Sequence, residues 1–408
     1  MKPTVVVVGT SVAGVRTAQA LRSAGYDGNV VLVGEENALP YDKPPLSKGL
    51  LTDALTTDDV RLLTDQRAAE ADIQLMLGRS AVRLDVTARK IELSDGTRLP
   101  FDDVVIATGA RARPSPWGCP AGVHTLRALD DAAALRAELR RGGPVAIVGA
   151  GFIGCEVAAT ARAAGVDEVT MLDSAAGPLG RSLPPAIGER FAWLHEEHGV
   201  RTHFGVEVSA VDRVGDELVL RLGNGSTLQA ATVVVGIGAV PNDDWLRDSG
   251  LNVDDGVLCD QHGRAAPHVY AVGDVARWYR PRWGTSARIE HWTNAVEQAA
   301  CVAHNIAQPE SPREHDPLEY VWSDQYDWKI QILGRTGADL GYTTFEHARK
   351  PAAFAVLFRD SGGACVGVLT VNWPRALVTC RRALSRGATW QEVRDSLASA
   401  HVVPSHGR

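Results

Sequence analysis

The chain has 408 residues, 45% of them apolar and 22% charged, with a formal net charge of −7 at pH 7. These are ordinary globular values, and they exclude a disordered chain, which could not bury enough apolar surface to offset its chain entropy. No apolar run approaches the roughly 20 residues of a membrane-spanning helix, and the acidic balance argues against a chain-wide nucleic-acid footprint.

At roughly 100–200 residues per domain, the length predicts about two to four domains. The chain enters a valine run directly after Met1-Lys2-Pro3-Thr4. That leaves no room for a signal peptide and predicts a cytoplasmic protein. The six cysteines form no Cys-x-x-Cys motif, which argues against a zinc ribbon and a thioredoxin-type dithiol. Buried free thiols in a reducing compartment, and no metal site, are expected.

Thr4–Val8 is a short β-branched run and predicts a buried parallel strand. Gly9-Thr10-Ser11-Val12-Ala13-Gly14 follows, then a helix over Val15–Ala24, a strand over Val30–Val33, and Glu35. Backbone N–H groups freed at such a glycine turn meet a pyrophosphate. The acid, 21 positions after Gly14, is placed to grip a ribose. Ser11 departs from the fingerprint: a glycine is expected where the backbone comes closest to the phosphates. Serine is small, and its hydroxyl can donate to a phosphate oxygen.

Asp103–Gly109 predicts a strand ending in a small-residue turn, where the chain leaves one domain. A second nucleotide unit then opens with a strand over Pro144–Val148. Gly149-Ala150-Gly151-Phe152-Ile153-Gly154 is a complete fingerprint. A helix over Cys155–Ala164, a strand over Val169–Leu172 and Asp173 complete the unit. A carboxylate there accepts from the 2′-OH of NAD and repels a 2′-phosphate. Ser174-Ala175-Ala176-Gly177 carries no arginine, so NADH is favoured over NADPH, with Arg181 the nearest cation. Thr232–Pro241 reads as the return from the inserted domain, and Gly238 in it as part of the NAD site. Val269–Asp274 is a strand with an acid at its C-terminal mouth, where ligands of open α/β sheets bind.

Gln308–Pro317, charged and with three prolines, reads as a linker. Lys329–Leu333, Phe354–Phe358 and Val366–Asn372 follow as strands, and Ala376–Leu384 and Trp390–Ala400 as closing helices. The fold class is therefore α/β: two Rossmann-like domains plus a C-terminal α+β domain.

With these motifs in this order, the chain resembles the FAD-dependent pyridine nucleotide–disulfide oxidoreductases. More narrowly it is similar to the bacterial NADH–ferredoxin reductases. The segments that narrow it are Pro40-Tyr41-Asp42-Lys43-Pro44-Pro45-Leu46-Ser47-Lys48, Glu290-His291-Trp292-Thr293-Asn294-Ala295 and Trp322-Ser323-Asp324-Gln325-Tyr326. The resemblance implies an FAD domain of residues 1–111 and 241–315, an NAD domain of 112–240 and a C-terminal domain of 316–408. Disulfide reductases of this superfamily carry a cysteine pair on the first-domain helix beside the flavin, and the peroxide and coenzyme A enzymes one cysteine. Residues 40–51 contain none, so electrons are expected to leave the flavin directly to an external acceptor.

The resemblance places Lys48 near flavin N5, where a cation stabilises charge arriving with hydride. It puts Gly9, Ser11, Ala13, Gly14, Glu35, Lys43, Val82, Thr108, Gly109, Arg127, Gly273 and Asp274 on the FAD, Arg127 against its pyrophosphate. Gly149, Gly151, Ile153, Gly154, Glu156, Asp173 and Gly238 are expected on NADH. Glu156 has two readings: a complement to its helix dipole, or a partner of Lys48 or of the nicotinamide. Trp292 is expected at the start of a helix over Thr293–Asn305, its positive end toward flavin N1, with Trp322 also flanking the ring. Arg277, Arg280, Arg282 and Arg288 form a candidate docking patch for an acidic partner.

The implied activity is hydride transfer from NADH to FAD, then single electrons to a [2Fe–2S] ferredoxin. That ferredoxin would feed a cytochrome P450 or a Rieske dioxygenase. No nucleic acid or membrane is expected, and the chain is read as a monomer or weak homodimer. A rubredoxin reductase, an NADH oxidase and a redox-controlled flavoprotein binding module are the alternatives.

Overall fold

In the computed structural model, which describes residues 2–398 and 402–404, Thr4–Val8 lies at the centre of a six-stranded sheet. It pairs in parallel with Asn29–Val33 on one side and Asp103–Ile106 on the other. Ile73–Met76 and Val269–Ala271 extend the sheet, and Arg264–Ala266 adds an antiparallel edge. The valines of Thr4–Val8 are buried because helices cover the sheet. The fingerprint helix, Val12–Ser23, packs along Trp292–Ala307.

A five-stranded, all-parallel sheet carries the second fingerprint. Its order is Val200–Phe204, Val169–Asp173, Val145–Val148, Thr232–Val235 and Val123–His124. Helix Phe152–Ala163 follows the glycine turn. The C-terminal region is a six-stranded antiparallel sheet, in the order Tyr320–Gln325, Trp328–Gly334, Cys365–Val371, Phe354–Arg359, Gly341–His347 and Val402–Pro404. Helices Pro374–Ser385 and Trp390–Ala398 close it; the expected helix residues 399–400 lie outside the described residues.

Contacts divide the chain into two units. One is Met1–Lys43, Thr56–Arg111 and Ala239–Pro317; the other is Pro44–Leu55, Ala112–Gly238 and Leu318–Arg408. The short turn Pro44–Ser47 is a 3-10 helix, and it groups with the second fingerprint. Thr160 Oγ1, on the fingerprint helix, donates to the Ser47 carbonyl at 2.8 Å.

Three expectations change. Tyr320–Gln325 and Gly341–His347 are strands where only a motif and a gap were read. Both fingerprint helices start three residues earlier than expected, inside the glycine turn. The stretch 308–317 has no helix or strand, as a linker should, but it is pinned: Asn305 Nδ2 donates to the Arg313 carbonyl at 3.0 Å, and the Arg313 N–H returns to Asn305 Oδ1 at 2.7 Å.

Candidate active site

The two glycine turns are built alike. Gly9 and Gly149 adopt φ of +124° and +105°. A Cβ on Gly9 would lie 2.1 Å from the Ala107 carbonyl oxygen, and one on Gly149 would lie 2.3 Å from that of Gly236. The third glycine of each motif lets the helix cross its own turn: a Cβ on Gly14 or Gly154 would stand 1.8 or 1.9 Å from the Gly9 or Gly149 oxygen. Only glycine fits such approaches.

The middle position differs. A Cβ on Gly151 meets nothing within 4 Å, so the chain itself leaves that side open. Ser11, its counterpart, occupies the N-cap of Val12–Ser23 with no side-chain cap hydrogen bond. Its departure from glycine is therefore free of steric cost within the protein. Neither helix carries an acid in its first turn, so the positive helix ends are not offset by local carboxylates.

Around the first turn, Gly273 has φ +74°, and a Cβ there would lie 2.8 Å from the Ala13 Cβ. Its N–H donates to Gln298 Oε1 at 2.8 Å, and Asp274 beside it is half-buried in a 3-10 turn. Glu35 is exposed just past strand Asn29–Val33. Lys43 is paired to Glu36 at 3.3 Å, and Tyr41 donates to the same carboxylate at 2.6 Å. Val82 is an apolar side chain 47% exposed. Thr108 donates its hydroxyl to the Asn242 carbonyl at 2.7 Å, so it fastens the returning chain; Gly109 accepts from the Asn242 N–H at 2.9 Å. Trp292 begins its helix, and its indole N–H donates to Asp42 Oδ1 at 2.8 Å. Burial holds the Asp42 carboxyl above its ordinary range, and the Trp292 bond opposes that.

In the second unit, Asp173 ends strand Val169–Asp173. Its Oδ2 accepts from the Ala150 N–H at 2.7 Å and its Oδ1 from the Ala175 N–H at 2.8 Å. The acid therefore also anchors the glycine turn. Ile153 is 43% exposed beside that turn. Gly238 has φ +115°, and a Cβ there would lie 3.8 Å from both Arg113 Nε and Arg181 Nη1. Arg127 precedes helix Leu129–Arg141, its N–H held by Asp131 Oδ2 at 2.8 Å. Trp322 is half-buried and stacks on Tyr320, ring centroids 6.1 Å apart.

Glu156 resolves toward Lys48. The carboxylate is 4% exposed. Its Oε2 takes Lys48 Nζ at 2.5 Å and the Ser47 hydroxyl at 2.5 Å, and its Oε1 takes the Ser323 hydroxyl at 2.7 Å. Sequence reading did not single out Ser47 or Ser323 as site residues, because nothing local in a serine says what it will face.

The docking patch needs correction. Arg280 is 4% exposed and donates to the Pro317 carbonyl at 3.2 Å, so it is not a surface residue. Arg277 pairs with Asp254 at 2.9 Å, Arg282 with Asp316 at 3.4 Å, and Arg288 with Asp255 at 3.0 Å and with Glu290. Acids from distant segments offset the cluster. The cysteines are all free, but Cys119 is exposed and Cys365 half-buried rather than buried. Burial pushes the Cys155 thiol, beside Glu156, far up.

The residues present fit two dinucleotides. The second turn is open where Gly151 stands, neither helix end carries an acid in its first turn, Asp173 ends the second strand of its unit, and Glu35 lies just past the second strand of the other. Among the described residues no helix is long and apolar enough to cross a membrane.

Comparison with known proteins agrees. Residues 3–299 match the pyridine nucleotide-disulphide oxidoreductase family, and residues 320–401 the reductase C-terminal family. The anthranilate 1,2-dioxygenase system ferredoxin–NAD(+) reductase component of Burkholderia cepacia is 39% identical, covering 94% of both chains. Putidaredoxin reductase of Pseudomonas putida is 36% identical over 81% of this chain and 80% of its own. A crystal structure of the covalent putidaredoxin reductase–putidaredoxin complex superposes with TM-score 0.89 at 31% identity, covering 98% of this chain and 99% of that one. The first family match takes in both fingerprints and the second the C-terminal sheet, and FAD and NAD(H) are the cofactors the matches imply. The chain belongs to the pyridine nucleotide-disulphide oxidoreductase family and is an oxidoreductase of the kind that joins this module to a reductase C-terminal domain.

Proposed function

We propose that the protein carries electrons from NADH through FAD to a [2Fe–2S] ferredoxin that serves an oxygenase. One observation carries this reading. Where thiol-using members of the family keep a reactive cysteine, this chain presents Lys48 and Ser47 to Glu156. The thiol beside that carboxylate, Cys155, is fully buried and its ionisation suppressed, and a thiolate is what such chemistry needs. The names of the relatives, a dioxygenase-system ferredoxin reductase and a putidaredoxin reductase, support an iron–sulfur partner.

FAD supplies the step between carriers, taking electrons in pairs and releasing them singly. The chain's own residues do the rest. Asp173, fixed by two backbone N–H groups, offers its carboxylate to the adenosine ribose of NADH and disfavours a 2′-phosphate. Glu35 does the same for the adenosine ribose of FAD. The Lys48 ammonium, held by Glu156, gives the positive charge that stabilises electron density arriving on the flavin. The N-terminus of helix Trp292–Ala307, without an acid in its first turn, adds a second positive field. An FAD part of residues 1–111 and 241–315, an NAD part of 112–240 and a C-terminal part of 316–408 belong to the same proposal. Six free thiols suit a reducing cytoplasm.

Of the arginine patch, Arg277 and Arg282 keep partial exposure and remain docking candidates. Arg282→Glu is expected to raise the ferredoxin KM while sparing NADH reduction of the flavin; an unchanged KM removes the patch from the reading.

The test is an anaerobic titration of the FAD-loaded protein with NADH and then NADPH, followed at the flavin absorbance, with a [2Fe–2S] ferredoxin added last. Bleaching by NADH far more than by NADPH, reversed by ferredoxin, is expected. A reduced flavin that ignores ferredoxin but reacts with rubredoxin or oxygen overturns the partner.

A further inference from the structure

Ser323 and Gln325 lie two apart on strand Tyr320–Gln325, both with no exposed surface. The strand packs on helix Phe152–Ala163, so its polar side meets Glu156. Two polar side chains pointing inward from a β-strand need partners, since a buried hydroxyl or amide without one is costly.

The donors and acceptors order themselves. An ionised carboxylate only accepts, and the Gln325 amide nitrogen only donates. Gln325 Nε2 donates to Ser323 Oγ at 3.2 Å. The one hydroxyl proton of Ser323 then goes to Glu156 Oε1, at 2.7 Å. Behind Gln325 stands His195, also without exposed surface, on helix Pro185–Glu197. Its Nδ1 is 3.0 Å from the Tyr326 hydroxyl. Gln325 acts on the same imidazole, partly opposing the effect of burial. His195 Nε2 and Gln325 Oε1 are both buried, and neither has a hydrogen-bond partner among the described residues. Burial keeps His195 neutral, its pKa pushed down to about 4. A neutral imidazole carrying its proton on Nε2 accepts from Tyr326 at Nδ1. On the other side of the gap, Gln325 donates to Ser323, which donates to Glu156.

Tyr326 is itself unusual. It has φ +52° at the hairpin tip, costly for an aromatic residue, and its ring stacks on His198 with centroids 3.7 Å apart. The hairpin is thus held in a strained conformation by the helix that carries His195.

We propose that Ser323 is a positioning residue whose hydroxyl, aimed by Gln325, holds the Glu156 carboxylate in place against Lys48. The C-terminal sheet thereby orients the pair that the proposed function places at the flavin; this inference rests on that reading for its consequence, not for its chemistry. The titratable groups around Glu156 are Lys48 from the Pro44–Ser47 turn side, Cys155 on its own helix, Asp173 at the neighbouring strand end, and His195 and Tyr326 beyond Gln325. Among the described residues, Ser47 and Ser323 supply neutral hydroxyl donors to the carboxylate.

The test is isotope-edited infrared titration of the FAD-loaded protein, with the protonated carboxyl band of Glu156 assigned by its loss in Glu156→Gln. In Ser323→Ala the band should grow in about one to two pH units higher than in the wild type, the size of one lost hydrogen bond to a charged group. The acid limb of flavin reduction by NADH should move with it, and Ser323→Thr should restore both. A band and an acid limb that coincide with the wild type overturn the proposal. If Ser323→Ala loses FAD, Gln325→Met leaves the hydroxyl in place but unaimed; a smaller shift in the same direction supports the proposal, and none overturns it. A wild-type flavin that ignores NADH sinks the functional reading instead and leaves the infrared result to decide this one.

Discussion

At the scale of single residues, Asp173 shows that one carboxylate can hold a loop and offer itself to a ligand. Both its oxygens already face backbone N–H groups, of Ala150 and Ala175. Asp173→Asn turns one acceptor into a donor against an N–H. A lost charged hydrogen bond with a donor left facing a donor costs about 1.5–3 kcal/mol, so the NADH KM should rise roughly tenfold or more while the FAD content of the protein stays unchanged. Steady-state kinetics beside flavin absorbance checks both. Ser11 makes the contrasting case. Its counterpart Gly151 has open space where a side chain would go, so Ser11→Gly should leave the melting temperature unchanged and act, if at all, on FAD affinity.

At the scale of elements, the close crossing of each helix over its glycine turn is the least forgiving feature. Gly14→Ala or Gly154→Ala would put a methyl 1.8 or 1.9 Å from a backbone oxygen. The helix must shift, at a cost of about 1–3 kcal/mol or more. Gly14→Ala is expected to purify with little flavin. Gly154→Ala should keep its flavin and lose NADH affinity, read as a raised KM. A second junction lies in the NAD-bearing unit. Arg190, on helix Pro185–Glu197, forks onto Glu346 at 2.7 and 3.3 Å and sits 3.6 Å over the Phe354 ring. The ion pair is a third or so exposed and is worth little alone; the stacked guanidinium adds more. Arg190→Ala should cost about 1–2 kcal/mol, seen as a lower urea midpoint that salt changes only weakly.

At the scale of the whole molecule, two buried histidines make stability depend on pH. His195 and His315 are each pushed down to about 4, first by burial; a charged neighbour, His198 or Arg280, adds to it, and Gln325 partly opposes it at His195. The unfolded chain binds these protons near pH 6.5 and the folded chain does not until about pH 4. Stability is therefore complete above about pH 6.5 and falls as pH drops toward 4, by up to about 3 kcal/mol for each histidine. Urea midpoints measured across that window should slope downward on acidification, and His195→Gln should flatten part of the slope.

Much of this architecture was readable in the sequence because it rests on local patterns. A β-branched run, a glycine spacing and an acid after the next strand depend on neighbours a few residues away, and both nucleotide units formed where they were read. The strand Tyr320–Gln325 escaped because its buried side carries Ser323 and Gln325, so the apolar alternation that marks a strand is absent. Gly341–His347 escaped for a similar reason, with a single fully buried apolar residue, Phe345. The arginine cluster misled because charge counted along a chain says nothing of acids brought from elsewhere: Asp316 lies 34 positions from Arg282, and Asp255 lies 33 from Arg288. By itself the sequence determined which two nucleotide units exist, and which residue types stand at their mouths, because backbone sterics at glycine and the period of burial are local rules. Only the tertiary structure decided what Glu156 holds: its serine donors come from 109 and 167 positions away, and the hydrogen bonds of a buried carboxylate follow from packing, which no spacing along the chain encodes.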